Sequence, residues 1–331
     1  MNGIQEAKSS ILFSSTRISA REKSRAFSFI QGSWSSHEPF FVERIRVNDT
    51  FWRGLAYCVT AALAWALLGP VSRICFAEGM EPSSVAFWRM LISGICFTVH
   101  ALVSGGLRPG RRDLGCMIFF GAVFVTAFII CFQVSVQKSG SALAIILLCS
   151  APAWVALFSR IIFREVINST RLAALFLTMA GTVLVCLSGG SLGGEVSWIG
   201  IGCGLLCGFT YAFQFLFFAW WKERYSTQAL FAMTFLPAAA VLFFFTDFRP
   251  VTLNGAMGVL VLSLISSYAA YYWYGQSMRF LSPVQAAIIG NLEPVVGTWL
   301  SWWFWNEDFA AVGWLGCVFV LASILMLAVK K

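Results

Sequence analysis

A single acidic residue stands in the middle of a long apolar stretch, where it could carry a proton or hold a cation. Glu293 occurs in the sequence Asn291-Leu292-Glu293-Pro294. An ionised carboxylate inside hydrocarbon costs on the order of 3 kcal/mol unless it is paired or hydrated, so such an acid is a functional hypothesis by default. Burial favours its protonated form, which would let Glu293 carry a proton near neutral pH. The alternative is structural: a protonated Glu293 would donate a hydrogen bond to carbonyl groups that Pro294 leaves without a partner.

Two prolines occupy equivalent positions in a faint duplication of the sequence. Residues 132–187 align without a gap with residues 274–329, at a shift of 142. The identical pairs are Pro152/Pro294, Glu165/Glu307, Ser135/Ser277, Ala144/Ala286, Ile146/Ile288, Ser159/Ser301 and Ala180/Ala322. Each proline removes a helical hydrogen bond and kinks its helix. Carbonyl groups at such a kink can face a cavity and bind an amine or a cation, although proline is also tolerated in membrane helices without a function.

Further polar side chains within apolar stretches could line a pathway between helices. They are Tyr268, Tyr271, Tyr272, Gln276, Tyr211, Gln214, Gln133, Gln137 and Arg89. The first three tyrosines are spaced to share one helix face, and a polar, aromatic surface of this kind suits a small amphiphile. The alternative is that these residues only hold helices together. Arg89 has two interpretations as well: it snorkels outward to Glu78 or Glu81, or it faces the cavity and attracts an anionic group.

The composition decides which solvent these residues face. The chain is 59% hydrophobic and 11% charged, with a mean hydropathy of +0.78, whereas soluble domains carry roughly 25% charged residues. Several charge-poor stretches reach the roughly 20 residues that a helix needs to cross a bilayer. The sequence therefore predicts an all-α integral membrane protein.

Missing motifs narrow the chemistry. The chain has no GxxxxGK[ST] sequence, which argues against ATP hydrolysis, and its two histidines, His37 and His100, cannot form a zinc site with HExxH spacing. Its ten cysteines lie in apolar segments without a CxxC pair, as small packing residues do. We therefore predict no metal and no cofactor. The net charge of +8 reports membrane topology rather than nucleic-acid binding.

Charges and turn residues divide the apolar chain into ten crossings. They are placed near 52–75, 83–104, 114–137, 140–162, 170–188, 197–220, 226–246, 254–278, 282–305 and 309–329. With the N-terminus in the cytoplasm, 19 of the 23 Lys and Arg residues lie on the cytoplasmic side, which is a strong positive-inside signal. The prediction is a multi-pass protein of the cell membrane with both termini in the cytoplasm.

The same topology organises the chain into three parts. Residues 1–50 are rich in serine and basic residues and are predicted to form a disordered cytoplasmic tail. Residues 51–189 and 190–331 would then each contain five crossings. Because an odd number of crossings separates the two copies, they face opposite ways, and inverted repeats around a midplane site are typical of secondary transporters.

This layout resembles the EamA-type family of the drug/metabolite transporter superfamily, over about residues 51–331. The resemblance is carried by paired five-helix halves, by Leu292-Glu293-Pro294-Val295, and by an acid at each 4–5-type turn. It implies a central substrate cavity and functional roles for Pro152, Glu165, Pro294 and Glu307, and it supports Glu293. The chain departs from the family pattern at Ser150-Ala151-Pro152, which has no acid opposite Glu293. It also departs at Arg164 and Asn306, where a small residue is common.

The predicted function is a secondary transporter that moves a small metabolite by alternating access. The family resemblance implies an amino acid, amine or organic acid, with export and proton exchange as the expected direction and coupling. Gly200, Gly204 and Gly208 allow close helix packing within a protomer or in a homodimer. The alternatives are a membrane-embedded lipid-modifying enzyme, which would need an acid or histidine cluster at the lipid boundary, and a non-transporting scaffold, which longer loops would favour.

Overall fold

The computed structural model describes residues 40–106, 109–139, 141–188, 197–305 and 310–329. Helices dominate these ranges, and they contain no strand. The helices are α1 Phe40–Ala66, α2 Leu68–Ala77, α3 Pro82–Val103, α4 Arg111–Phe120, α5 Thr126–Ser139, α6 Ser141–Leu148, α7 Ala151–Ile162, α8 Ser169–Ser188, α9 Trp198–Trp221, α10 Thr227–Leu242, α11 Leu253–Val261, α12 Ala270–Ser277, α13 Pro283–Gly290, α14 Leu292–Trp305 and α15 Ala311–Val329. Two π-helical segments, Gly121–Val125 and Leu262–Ala269, join α4 to α5 and α11 to α12.

Nine helical segments within the described residues are long and apolar enough to cross a membrane. They are Asp49–Ala77, Pro82–Val103, Arg111–Ser139, Leu143–Ile162, Ser169–Ser188, Trp198–Trp221, Thr227–Phe245, Leu253–Ser277 and Ala311–Ala328. The predicted ninth crossing, 282–305, holds two shorter helices, α13 and α14, and is not among the nine. The all-helical membrane-spanning fold is thus confirmed, whereas the count of ten crossings stays a prediction.

Parts of the sequence-based prediction fall outside the described residues. Most of the predicted tail (1–39), the connection 189–196 and the turn that contains Glu307 (306–309) are among them. The described chain begins in α1 at Phe40. The tail and the second turn acid therefore remain predictions.

The duplication is visible in where the helices begin. Starts that correspond lie 142 residues apart: Arg111 with Leu253, Ser141 with Pro283, and Ser169 with Ala311. The irregular features obey the same shift, because the π-helical segment Gly121–Val125 falls opposite Leu262–Ala269 and the turn at Cys149 falls opposite the break at Asn291. Two copies of one backbone design therefore extend well beyond the few identical residues.

Helix packing has the same two-fold pattern. Helix α3 packs on α10, α7 on α13, and α8 on α15, so that second, fourth and fifth helices each meet their own counterpart. The contact of α2 with α11 is repeated, with the halves exchanged, by α9 with α5. Gly181 and Gly316 allow a close approach of α8 to α15: a Cβ at Gly181 would lie 2.7 Å from the carbonyl oxygen of Gly316. Small residues at helix crossings drive such packing where no hydrophobic effect operates between helices.

One end of the bundle, which we call the acidic face, is held together by carboxylates. Arg249 lies 2.9 Å from Glu81 and 2.8 Å from Asp247. Glu78, at the end of α2, accepts hydrogen bonds from Thr252 (2.6 Å) and Asn254 (3.1 Å) at the start of α11. These two bonds lower the pKa of Glu78 from its ordinary value, since they stabilise the ionised carboxylate.

The opposite end, which we call the basic face, repeats this arrangement with different chemistry. Tyr225, in the connection between α9 and α10, donates to Asp113 (2.7 Å) and accepts from the backbone N–H of Gly110 (3.4 Å) at the start of α4. The bond to Asp113 raises the pKa of Tyr225, because it favours the protonated phenol. Each half of the chain therefore ties one connection to the first turn of a helix from the other half.

Candidate substrate site

Pro294, the proline of the second copy, lies just after a break between two helices. Helix α13 opens with a capping box between Ser282 and Gln285 and ends at Gly290. Asn291 follows with φ −66° and ψ 2°, and α14 begins at Leu292 with Glu293 in its first turn. A helix start carries partial positive charge, which stabilises a nearby carboxylate. The break thus places an amide and an acid between two half-helices.

Arg89 of α3 faces the interior of the bundle. Its Nε donates to the Oγ of Ser267 at 3.1 Å, and its charge interacts electrostatically with Tyr271 and Glu293. The two acids that could have drawn it outward have other partners, at Thr252 and Asn254 for Glu78 and at Arg249 for Glu81. Of the two orientations that the sequence allowed, the structure adopts the inward one. The alternative, in which Arg89 snorkels outward to Glu78 or Glu81, was wrong.

A π-helical segment supplies the partner of Arg89. Ser267 is fully buried within Leu262–Ala269, and this segment packs against α3. A π-helical turn contains one more residue than an α-helical turn and is frequent at functional sites. The segment thus brings a hydroxyl from the second half of the chain to the guanidinium of the first.

Aromatic rings pack around Tyr271, which interacts electrostatically with both Arg89 and Glu293. The Trp65 ring centroid lies 5.2 Å from that of Tyr271 and 5.6 Å from that of Tyr274. Tyr211 interacts electrostatically with Glu293, Tyr271 and Tyr274. We call this set the midplane cluster: Trp65, Arg89, Tyr211, Tyr271, Tyr274 and Glu293. It draws on both halves of the chain, as a site between inverted repeats should.

Several buried polar groups at or near the cluster have no hydrogen-bond partner among the described residues. They are Nε1 of Trp65, the hydroxyl of Tyr274, Nε2 of Gln214 and Nδ2 of Asn291. Leaving a buried donor without an acceptor costs about 1–3 kcal/mol, and native proteins leave few such groups. Donors grouped around one acid and one guanidinium can be satisfied by the polar atoms of a small bound molecule.

The three tyrosines predicted to share one face have different neighbours. Tyr268 lies 2.8 Å from Nδ1 of His100, and the Tyr272 ring centroid lies 5.5 Å from that of His100. Tyr271 instead packs against Trp65 and Phe235. Only Tyr271 of the three belongs to the midplane cluster.

The remaining predicted residues are more scattered. Gln137 is exposed on α5, and Gln133 and Gln276 are partly exposed; the contacts that define the cluster do not include them. Pro152 is buried in the first turn of α7, which packs on α13, and Pro294 follows Glu293 in α14.

Glu165, the acid at the turn of the first copy, is bound within that turn and by the helix that follows it. Glu165 accepts a hydrogen bond from Arg171 at 2.7 Å, after a left-handed turn residue, Arg164, with φ 54°. Its backbone N–H donates to the carbonyl oxygen of Ser159. This network ties the turn to the start of α8. Its counterpart Glu307 lies outside the described residues.

Sequence reasoning missed Trp65, Tyr274 and Ser267 as site residues. Trp65 did carry a signal, because it lies far from both ends of the first crossing, whereas membrane tryptophans favour the interfaces. Tyr274 follows Tyr271 by one helical turn. No pattern in the sequence distinguishes Ser267 from its neighbours, since the π-helical turn that directs it is a property of the backbone.

Comparison with known proteins agrees with the two-part architecture. A family model for EamA-like transporters matches this chain twice, at residues 52–187 and 198–329. The chain belongs to the EamA-like transporter family. The resemblance inferred from the sequence is therefore confirmed, and the two matched stretches correspond to the two halves seen in the helix starts.

Curated relatives of this family member are named as transporters. The uncharacterized inner membrane transporter YicL of Salmonella typhimurium is 20% identical over 292 residues, which cover 84% of this chain and 96% of the relative. An uncharacterized transporter of Archaeoglobus fulgidus is 25% identical over 80% of this chain and 93% of its own length. The uncharacterized transporter YdfC of Bacillus subtilis is 19% identical over 76% and 84%, respectively.

A solved crystal structure has the same fold. It superimposes with a TM-score of 0.73 at 16% identity, over 83% of this chain and 96% of the other. At that identity the likeness is one of architecture. Fold, family and relatives together identify a multi-pass membrane transporter.

Proposed function

We propose that this EamA-family protein is a secondary transporter for a small zwitterionic metabolite, such as an amino acid, and that it works by alternating access. The observation that carries the proposal is the midplane cluster, in which an acid and a guanidinium lie among aromatic rings and donors without partners. Arg89 would hold the substrate carboxylate and Glu293 its ammonium group. The aromatic faces would add cation–π attraction for the ammonium group.

Proton coupling would follow from competition at one carboxylate. A protonated Glu293 cannot form an ion pair with an ammonium group, so proton and substrate would exclude each other at this site. Exchange of one for the other then couples export of the substrate to entry of protons. The inverted halves supply the movement, since rocking of one half against the other alternately opens a midplane site to each side.

The distribution of basic residues predicts how the protein is oriented in the membrane. The basic face would lie in the cytoplasm together with both termini, as the positive-inside rule requires. Single cysteines introduced at Gly79 on the acidic face and at Ser226 on the basic face would test this in intact cells. An impermeant thiol reagent should label the first and spare the second; the reverse pattern would refute the orientation.

The decisive test of function is transport in proteoliposomes. The purified protein should exchange a radiolabelled amino acid, amine or organic acid from a panel, and an imposed pH gradient should drive its accumulation. In Glu293→Gln the gradient should no longer drive accumulation, because glutamine cannot gain or lose the proton. Glu165→Gln is the matched control, since this acid serves a turn and should leave coupling intact.

Two outcomes would overturn the proposal. If Glu293→Gln still accumulates substrate under a proton gradient, Glu293 is not the coupling residue. If the wild-type protein transports only anions that lack an amine, the assignment of Glu293 to an ammonium group is wrong. Transport is favoured over an enzyme or a scaffold because the relatives are named as transporters.

A further inference from the structure

The basic face contains an open cavity away from the midplane cluster. Its volume is about 440 Å³, and it is lined by Lys222, Glu223, Arg224, Tyr225, Ser226 and Arg279. These residues come from two connections, the one between α9 and α10 and the one between α12 and α13. We call this cavity the basic pocket.

Like charges converge in the basic pocket. Three cations line it with a single acid, Glu223. Burial lowers the pKa of Lys222, the charge of Glu223 offsets part of this effect, and the charge of Arg279 makes a smaller contribution that lowers the pKa again. Lys222 also donates to the carbonyl oxygen of Met278, which fixes it against the second connection. An anion between Lys222 and Arg279 would relieve their repulsion.

The backbone adds to the positive potential. Ser226 caps the N-terminus of α10, a helix of 16 residues, by accepting from the N–H of Ala229. The first turn of a helix presents free N–H groups and a partial positive charge, which together favour phosphate. The pocket therefore offers both side-chain cations and a helix start to one ligand.

The surroundings of the pocket are those of a membrane interface. Trp220 is 55% exposed at the end of α9, and Phe280 is exposed beside Arg279. The guanidinium of Arg224 lies 5.7 Å from the centre of the Trp221 ring. Exposed aromatic rings at helix ends lie at the headgroup level of a bilayer, so a ligand in this pocket can keep its apolar part in the lipid.

The first half of the chain differs at one of the two connections that line the basic pocket. The counterpart of the connection between α9 and α10, which lies between α2 and α3, carries Glu78 and Glu81 on the acidic face. Acids thus take the place of cations at this connection, while Lys138 stands at the position that corresponds to Phe280, beside Arg279.

We propose that the basic pocket binds the phosphate of an anionic phospholipid in the leaflet at the basic face. Cytoplasmic leaflets carry anionic lipid, and each Lys or Arg near such a surface contributes about 1 kcal/mol of attraction. The lipid would bridge the connection that follows α9 and the connection that follows α12. These two helices supply Tyr211 and Tyr271 to the midplane cluster. The proposal does not depend on what the cluster transports.

Lipid binding to the full-length, delipidated protein in detergent tests the proposal. Native mass spectrometry would follow titration with phosphatidylglycerol, with phosphatidylcholine, and with inorganic phosphate. The wild-type protein should retain phosphatidylglycerol preferentially, and Lys222→Gln combined with Arg279→Gln should weaken its affinity about tenfold, or about 1.4 kcal/mol. Arg160→Gln combined with Arg164→Gln removes two exposed charges on the same face, one in the last turn of α7 and one in the connection after it, and should bind as the wild type does.

Three results would overturn the proposal. Equal retention of the two lipids by the wild-type protein would show that the pocket does not select an anion. Equal losses in both double variants would show a diffuse surface effect. Binding of inorganic phosphate as tight as that of phosphatidylglycerol would assign the pocket to a soluble anion. Should the pocket variant fail to fold, Lys222→Arg combined with Arg279→Lys replaces it, because this variant keeps both charges and should retain phosphatidylglycerol as the wild type does. Added salt should then weaken retention of phosphatidylglycerol by the wild-type protein, and retention that does not change with salt would contradict the proposal.

Discussion

The helix breaks of the two halves share a backbone design and differ in chemistry. In the first half, the turn at Cys149 and Ser150 leads through Ala151 to Pro152, without a carboxylate or a basic side chain. In the second, the break at Asn291 leads to Glu293 and Pro294. The first break packs α7 against the bundle, while the second carries an acid that interacts electrostatically with residues from four other membrane-spanning segments, Cys149 at the first break among them. The two copies thus share the geometry of the break, and only the second carries a carboxylate.

The π-helical segments also share a backbone geometry and differ in polarity, with the polar one in the second half. The first, Gly121–Val125, is apolar and so close to α10 that a Cβ at Gly121 would lie 2.1 Å from the carbonyl oxygen of Thr234. The second contains Ser263, Ser266 and Ser267, and the last of these meets Arg89. One segment thus serves close packing and the other serves the site. The asymmetry of sequence within this symmetric backbone therefore coincides with the midplane cluster.

Moving the acid from one break to the other should produce the largest effect. Glu293→Ala combined with Ala151→Glu keeps the number of acids but takes the carboxylate away from Arg89. Because the carboxylate that would exchange protons is removed from the second break, gradient-driven transport in proteoliposomes should fall by about a hundredfold or more, equivalent to about 2.7 kcal/mol. Recovery of transport by the exchange would mean that the two breaks are functionally equivalent, contrary to the comparison.

Replacing Arg89 would measure what the first half of the chain contributes to substrate binding. When α3 and α10 are aligned by their starts, Arg89 corresponds to Thr234, which only bonds to its own helix. A hydrogen bond to a charged group contributes about 1.5–3 kcal/mol, so Arg89→Gln should weaken binding of a zwitterionic substrate about tenfold to a hundredfold. Competition binding in detergent measures this. An amine without a carboxylate should lose no affinity; if it loses as much as the zwitterion, Arg89 does not hold the carboxylate.

The two π-helical segments should respond differently to substitution by alanine. Gly121→Ala forces backbone atoms apart and should reduce stability by about 1–3 kcal/mol, as overpacking does. Ser263→Ala, at the corresponding position, removes only a bond from its hydroxyl to the carbonyl oxygen of Val259 and should cost about 1 kcal/mol or less. Thermal denaturation in detergent compares them, and an equal loss in both variants would contradict the packing role of the first segment.

The smallest expected effect distinguishes the two faces by pH. The lowered pKa of Glu78 means that its contribution to stability is present above the ordinary value of 4.5 and is lost as the pH falls through the folded-state pKa. The raised pKa of Tyr225 means that its contribution is lost as the pH rises above the ordinary value of 10.0. Hydrogen exchange should therefore show the acidic face loosening in acid and the basic face in alkali.

Matched variants assign these two effects. Glu78→Gln should abolish the change in acid and leave the change in alkali, and Tyr225→Phe should do the reverse. If a single variant removes both changes, the two contacts are coupled through the bundle, and the faces cannot be treated as independent.

The general architecture was accessible from the sequence because membranes impose simple rules. Apolar length, basic residues at one side and the alignment of Pro152 with Pro294 led to an all-helical, duplicated membrane protein. Glu293 was identifiable because an acid in an apolar stretch is costly wherever the helices pack. The direction of Arg89 was not, because both orientations satisfy its charge and only the partners of Glu78 and Glu81 decide between them.

By itself, then, the sequence determined the solvent, the helical class and the repeat, and it singled out Glu293 as a candidate, since each depends on local composition or on one residue's cost in hydrocarbon. The tertiary structure alone decided that Trp65, Arg89, Tyr271 and Tyr274 gather near this acid. It also decided that Tyr268 and Tyr272 turn to His100 instead. These outcomes depend on π-helical turns and on contacts between helices far apart in the chain, and helical periodicity within one segment carries no information about either.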